Sequence, residues 1–403
     1  MAWRETTIGE LVDFFDSKRV PLNSRQRAER QGIYPYYGAS GVVDHIDGYI
    51  FDGRYLLVAE DGENLNSRKL PIAFFAKGKF WVNNHAHIIK GKSKVADDEF
   101  LKHWFAWANI SAYVTGAAQP KLSQSNLRRM SITLPDFAEQ QQIASILSAY
   151  DDLIENNTRR IEILEEMARR LYEEWFVNFR FPGHEEVSFK ESELGDIPEG
   201  WEVVHLSEVS EYISRGISPK YAESDCRVIN QKCIRDNRLN MALSREQIKK
   251  VPEAKYVKFG DVLINSTGVG TLGRVAQVYE SLENVTVDSH VTIVRPLPEI
   301  DFDFFGIGLQ ILQPYFEGLG VGATGQTELS RVRVGETPVA IPPAELQKKF
   351  GELVGPMRRA CIKYGVKNTN LRAQRDLLLP KLVSGEIDVS DIPMPEDKEV
   401  EAA

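Results

Sequence analysis

Gly268-Val-Gly-Thr-Leu-Gly273 is the run whose spacing carries the most familiar chemistry. A G-x-G-x-x-G run can cradle the pyrophosphate of a dinucleotide. Here it follows the strand-like Val262-Leu-Ile-Asn265 and has Asp288 twenty residues on. That reading, a dinucleotide-dependent oxidoreductase, needs the run to open a helix whose N-terminus holds the phosphates. The next residues, Arg274-Val-Ala-Gln-Val-Tyr279, are instead β-branched and strand-like, so a glycine-rich hairpin loop is the better fit. Other catalytic signals are thin. His85 and His87 lie two apart, with no further Cys, His or carboxylate cluster to complete a ligand set. Cys226 and Cys233 lack a second pair, and Glu253-Ala-Lys255 resembles the end of a nuclease metal motif but has no convincing upstream aspartate to complete it. The sequence contains neither an Asn/Asp-Pro-Pro-aromatic tetrapeptide nor a Walker loop. We therefore expect no catalytic residue, no metal and no cofactor bound by this chain.

The polar residues that remain suit recognition better than catalysis. Tyr37 and Ser40 lie in the aromatic and glycine-rich turn Tyr34-Pro-Tyr-Tyr-Gly-Ala-Ser-Gly41. Asn64, Asn66, Arg68 and Lys69 share one loop, and Asn265, Ser266, Thr267, Thr271 and Arg274 share another. Asn84 and His85 in Val82-Asn-Asn-His85 are echoed by His290 in Val287-Asp-Ser-His290. Gln119 and Lys121 have a counterpart in Gln326, each glutamine in a Gly/Ala-rich loop before a Leu-Ser pair; Lys232 adds a further charge. Such donors, acceptors and cations fit base-edge readout and phosphate contact in double-stranded DNA. Asparagine-rich loops are also common in proteins generally, and Gln119 and Gln326 could instead fix their loops against a helix.

The elements that must position these loops occur twice. At a constant shift of 207, Gln119-Pro-Lys-Leu-Ser123 falls on Gln326-Thr-Glu-Leu-Ser330, and Ile132-Thr-Leu-Pro135 on Val339-Ala-Ile-Pro342. Gln140 falls on Gln347, while Trp3 to Leu11 matches Trp201 to Val209. A period of about 200 residues suits a duplicated domain rather than a solenoid repeat. Two similar but unequal units suggest a reader of two related, non-identical targets. Residues 1–135 and 201–343 read as mixed α/β domains of short strands, with helices near Glu99 to Ser111 and Phe304 to Tyr315. After each domain the periodicity becomes heptad. In residues 136–182 the seam includes Ile154, Asn157, Ile161, Leu164 and Leu171; in 344–385 it includes Met357, Tyr364, Asn368, Leu371 and Leu378. Each stretch of about forty residues would span roughly 60 Å as a helix. A helix that long needs a partner, and its copy is the one of matched length, so an antiparallel pair is expected. The fold class is α+β with a pseudo-twofold internal repeat. Residues 183–200 are a linker, and 386–403 an acidic tail expected to be disordered.

The net charge of −9 hides an uneven distribution. Residues 1–135 carry 18 Lys/Arg against 14 Asp/Glu, residues 136–200 carry 6 against 16, and residues 201–343 carry 15 against 18. Most of the acidity sits in one connector, so the total does not exclude a DNA partner. Three scattered cysteines make no disulfide framework, and no long apolar run or signal-like start occurs; a cytoplasmic protein without membrane contact is expected.

With these features the chain resembles the specificity subunits of type I restriction–modification systems. The residues carrying the resemblance are the two-unit plan, Gly116-Ala-Ala-Gln-Pro-Lys-Leu-Ser123, Leu134-Pro-Asp-Phe-Ala-Glu-Gln-Gln-Gln-Ile143, Ile197-Pro-Glu-Gly-Trp201 and Leu378-Leu-Pro-Lys-Leu-Val-Ser-Gly-Glu-Ile387. The second copy departs from the pattern by carrying Leu346 where the first has Glu139. The resemblance implies two target-recognition domains, each reading one part of a split DNA sequence, and two helices forming an antiparallel coiled coil. It implies docking of two modification subunits, with restriction or motor subunits joining through the complex. S-adenosylmethionine, ATP and magnesium would then belong to those partners. A coiled-coil adaptor whose domains bind protein rather than DNA is the alternative of a different class.

Overall fold

The computed structural model describes residues 3–116, 118–320, 327–390 and 392. The chain divides into two compact units, one of residues 1–158 with 366–403, the other of residues 159–365. Both are mixed α/β.

The first unit is built on a six-stranded sheet ordered Val12–Phe14, Ala86–Gly91, Phe51–Ala59, Ala73–Val82, Gln31–Gly38, Gly41–Ile46. The period of two along Phe51–Ala59 sends alternate residues to different cores. Leu56 and Val58 pack with Phe100, Leu101 and Phe105 of helix Asp98–Trp107, whereas Leu57 packs with Phe51, Phe80 and Ile88. That helix starts at an Asp97 carboxylate accepting from the Phe100 amide at 2.9 Å. It ends at Trp107, short of the expected Ser111.

In the second unit a four-stranded antiparallel sheet is ordered Ser210–Arg215, Val291–Pro296, Val262–Asn265, Val275–Gln277. A three-stranded sheet places Arg227–Ile229 between Arg245–Glu246 and Val285–Val287. The glycine run thus connects two antiparallel neighbours, Val262–Asn265 and Val275–Gln277, and opens no helix. The expected helix near Phe304 is Phe302–Ile311, followed by a separate one at Gln313–Gly318 with proline in its first turn.

The duplicated sequence reappears as duplicated hydrogen bonding. Arg4–Thr7 pairs with Ser131–Leu134, and Glu202–His205 with Pro338–Ile341. The Ile8 amide donates to Met130 O at 2.9 Å, and the Leu206 amide to Thr337 O at 2.8 Å. Leu122 and Leu329 are fully buried, and Ser123 and Ser330 each cap a following helix. Gln140 donates to Pro135 O at 3.0 Å and accepts from the Asp97 amide at 3.0 Å. Gln347 donates to Pro342 O at 2.8 Å and accepts from the Asp301 amide at 3.1 Å. Each glutamine therefore ties the start of a long helix to the start of its own domain's helix.

The first long helix runs Phe137–Tyr172 and closes in a wider π-type turn at Glu173–Val177; the second runs Ala344–Val383. In the first unit Ile143, Ala144 and Leu147, early in one helix, share a core with Leu382 and Val383, late in the other. In the second unit Ala168, Trp175 and Phe176, late in the first, share a core with Phe350 and Val354, early in the second. Asn157 Nδ2 donates to Asn368 Oδ1 at 2.9 Å, and Asn368 Nδ2 to Ile154 O at 3.2 Å. Arg375, a charged residue on the seam, meets Asp151 at 2.7 Å. Ile154, Asn157, Ile161 and Asn368 are buried, and Leu164, Leu171, Met357, Tyr364, Leu371 and Leu378 are half-buried.

The tail expected to be disordered is ordered at its start. Val389 is fully buried in the first unit's core, Ile387 packs against it, and Gln142 Nε2 donates to Ile392 O at 3.0 Å. Apolar residues at 387, 389 and 392 outweigh the acidic ones among them; residue 391 and residues 393–403 lie outside the described residues. Among the described residues no helix is long and apolar enough to cross a membrane.

Candidate nucleic-acid interface

In each unit the candidate loops meet on one small backbone frame. In the first, Glu60 N donates to His85 O at 2.9 Å and Leu122 N to Glu60 O at 2.7 Å. In the second, Ser266 N donates to His290 O at 2.8 Å and Leu329 N to Ser266 O at 2.8 Å. Asp61 bridges to Lys121, and Thr267 to Glu328. The turns before the histidines also match: the His85 amide donates to Asn83 Oδ1 at 2.7 Å and the His290 amide to Asp288 Oδ1 at 2.9 Å.

The side chains on this frame differ. His85 and His290 are both exposed, but His85 Nδ1 faces the Asp61 carboxylate at 2.8 Å, whereas His290 Nδ1 faces Thr267 Oγ1 at 2.8 Å. Beneath them the first unit buries Asp16, Glu60 and His87, the second Ser266 and Thr292, whose hydroxyls are 2.6 Å apart. The three first-unit groups are close enough to hold a cation, but that charge is already met. Arg19 reaches Glu60 at 2.7 Å and Asp16 at 3.5 Å, Gln124 donates to Asp16 at 2.8 Å, and Lys121 lies 3.3 Å from Glu60. Burial pushes the Asp16 carboxyl up, but the His87 hydrogen bond and charge and the Ile88 amide bring it below its ordinary value. We read the cluster as an ionic base under the loops.

Four sequence candidates are removed by their surroundings. Arg68 turns inward and donates to Phe105 O at 2.8 Å and Ala108 O at 2.9 Å, capping helix Asp98–Trp107. Burial holds its guanidinium pKa below the ordinary value. Asn64 closes its own loop, donating to Leu70 O at 2.9 Å and accepting from Leu70 N at 2.8 Å. Asn265 is fully buried and bonds Gln231 O at 3.2 Å and Thr271 O at 3.1 Å; Ser266 is fully buried as well. Asn265 and Ser266 are thus sealed from solvent, while the half-buried Arg68 and Asn64 are engaged by backbone groups.

Of the remaining candidates, Ser40, Asn66, Lys69, Asn84, Gln119, Lys121 and Lys232 are exposed. Tyr37 is half-buried, edge-on to Phe80 at 5.6 Å between ring centroids. Thr267, Thr271 and Arg274 line the glycine loop, with Arg274 donating to Gly270 O at 2.8 Å. Gln326 lies outside the described residues.

Sequence reasoning missed a basic ribbon in the second unit. Tyr221 bridges to Gln247, and the Ile248 amide donates to Lys220 O at 2.9 Å. The pairing leaves Lys220, Arg245, Lys249 and Lys250 exposed, with Arg245 stacked 3.6 Å from the centre of the Tyr221 ring. Burial, then the charges of Lys249 and Arg331, push the nearby Lys255 ammonium down. The available signal was local: residues 215–258 hold 11 Lys/Arg against 5 Asp/Glu inside a domain whose total is slightly acidic. The ribbon continues into the frame, since Ile217 bridges to Asp288, two residues before His290. Cations beside neutral donors and acceptors are the combination that contacts phosphates and base edges.

The twofold organisation of the chain has counterparts among known proteins. The family model described as the type I restriction modification DNA specificity domain matches residues 2–166 and again 198–364. The type I restriction enzyme MjaIX specificity subunit of Methanocaldococcus jannaschii is 28% identical over 351 residues, covering 84% of this chain and 80% of that one. A relative from Haemophilus influenzae is 26% identical over 363 residues, 85% of this chain and 84% of its own. The crystal structure of a type I restriction–modification S subunit from M. genitalium shares the fold, with a TM-score of 0.63 at 19% identity, covering 94% of this chain and 96% of that one. A domain matched twice over most of the chain, on a frame built twice, places this protein in the family of type I restriction–modification DNA specificity subunits.

Proposed function

We propose that the chain is the non-catalytic specificity subunit that reads a split, asymmetric DNA target, one half with residues 1–135 and the other with residues 201–343. The observation carrying this is one frame with two sets of side chains. The backbone bonds at Glu60, His85 and Leu122 recur at Ser266, His290 and Leu329, while Asp61 and Lys121 give way to Thr267 and Glu328. A shared frame presents both domains to a duplex in one manner, and different side chains select different bases.

The long helices act in this reading as an antiparallel coiled coil that sets the gap between half-sites and docks two modification subunits. Its support is the pairing of early with late segments in each unit and the buried Asn157–Asn368 bond. Adenine methylation with S-adenosylmethionine, and ATP- and magnesium-dependent steps, belong to the partner subunits. In that assembly the protein works in the cytoplasm.

Mapping methylated adenines in cells expressing this chain with modification subunits tests the proposal. A two-part, non-palindromic motif is expected. An uninterrupted or palindromic motif contradicts the split, asymmetric reading, and no motif together with no mobility shift of duplex DNA by the complex favours a protein-binding adaptor.

A further inference from the structure

The second unit's glycine loop carries an apolar side chain where recognition loops carry polar ones. Val269 is 81% exposed at the tip of Gly268-Val-Gly270. Burial in the core does not hold it there. The loop around it is braced: the Thr271 and Leu272 amides donate to Gly268 O at 3.1 and 3.0 Å, and Gln231 Nε2 donates to Thr267 O at 2.6 Å. Gly268 and Gly270 have φ of +105° and +69°, a region that favours glycine, and a Cβ on Gly268 would lie 2.3 Å from Thr271 Oγ1. The two flanking positions are thus bare backbone, and Val269 is the one large apolar group the tip presents.

Its neighbours indicate what it faces. Thr267 and His290 stand at the base of the loop, and the ribbon of Lys220, Arg245, Lys249 and Lys250 continues from the same frame through Ile217 and Asp288. A duplex gripped by that ribbon would have its base edges beside the loop. A valine side chain offers no hydrogen bond, so it can distinguish bases only by an apolar group. The one apolar group on a major-groove edge is the C5-methyl of thymine.

We infer that Val269 reads a thymine methyl in the half-site recognised by the second domain. This rests on the DNA-reading function proposed above, and the test separates the two. Once the motif is mapped, target duplexes carrying uracil for thymine, one position at a time, are titrated with the assembled methyltransferase complex containing the wild-type chain or Val269→Ala. The wild-type complex should lose roughly fourfold in affinity at one thymine of that half-site, about the worth of one buried methyl group. Val269→Ala should lose a similar amount on the natural duplex, ignore uracil at that one position, and melt like the wild type. A half-site without thymine on either strand overturns the inference. So does a variant that binds as tightly as wild type, or one that keeps the same uracil penalty at every position. If the wild-type complex shows no motif at all, the DNA-reading function itself fails.

Discussion

His103 lies buried where helix Asp98–Trp107 meets the first long helix, its Nε2 3.2 Å from Ser148 Oγ. Burial, with the Lys102 and Arg375 charges, pushes its pKa from 6.5 down to about 3. The unfolded chain therefore takes up a proton at His103 below pH 6.5 that the folded chain refuses until about pH 3, and stability falls as pH falls through that window. Asp151 beside it acts in the same direction: burial raises its pKa, but Lys102 and Arg375 outweigh this and hold it below the ordinary value. His103→Gln should flatten the fall between pH 6.5 and 4, measured as the denaturant midpoint against pH. An unchanged slope would show that the histidine is not held neutral. At this scale the sequence was least legible. Arg68 and Asn265 have the composition of DNA-contacting residues, yet one caps a helix and the other is sealed in a loop. Which way a side chain turns depends on carbonyls brought near by distant segments, such as Ala108 forty residues beyond Arg68.

Gln140 and Gln347 show where elements were legible and why. Both stood out as a repeated residue, but their work depends on the Asp97 and Asp301 amides, which only folding brings to them. Gln140→Leu and Gln347→Leu should each destabilise by about 1–3 kcal/mol for every buried partner left unpaired. The two losses should add within about 0.5 kcal/mol, because the sites lie in different units. Chemical denaturation of the single and double variants measures both. Heptad spacing revealed the long helices because apolar residues recur along most of each seam, and for the first it overran past Tyr172, where a π-type turn at Glu173–Val177 closes the helix. The basic ribbon escaped notice because its charges come from two segments more than twenty residues apart, joined by the Tyr221–Gln247 bridge. Lys249→Ala with Lys250→Ala should weaken binding alike on all sequences. The slope of log affinity against log salt should fall by about 0.9 for each phosphate that the variant no longer neutralises. An unaltered slope would remove the ribbon from the interface.

For the whole molecule the question is whether reading and spacing are separate. The domain duplication was legible because matching Leu-Ser, Pro and Gln positions keep one offset from Gln119 to Gln140. The two long helices were legible because each heptad seam runs on for about forty residues. The ordered start of the C-terminal segment was not, since Ile387, Val389 and Ile392 are interspersed with acidic residues and the burial of Val389 depends on the first unit's core. If the helices set the gap, inserting one heptad at matched places in both should lengthen each by about 10 Å. The tolerated gap would then grow by about three base pairs at 3.4 Å each, with both half-sites unchanged. An unchanged gap in the methylated motif would deny the helices that role.

The most direct test of the central claim is to exchange residues 201–343 for the matching domain of a relative and sequence the methylome of cells carrying the chimera. Base contacts are local, each worth about 1–3 kcal/mol at its own position, and Gln347 and its long helix lie outside the exchanged segment. Two independent reading domains predict a motif with one half replaced, the other half intact and the gap conserved. Changes in the bases of both halves would contradict it.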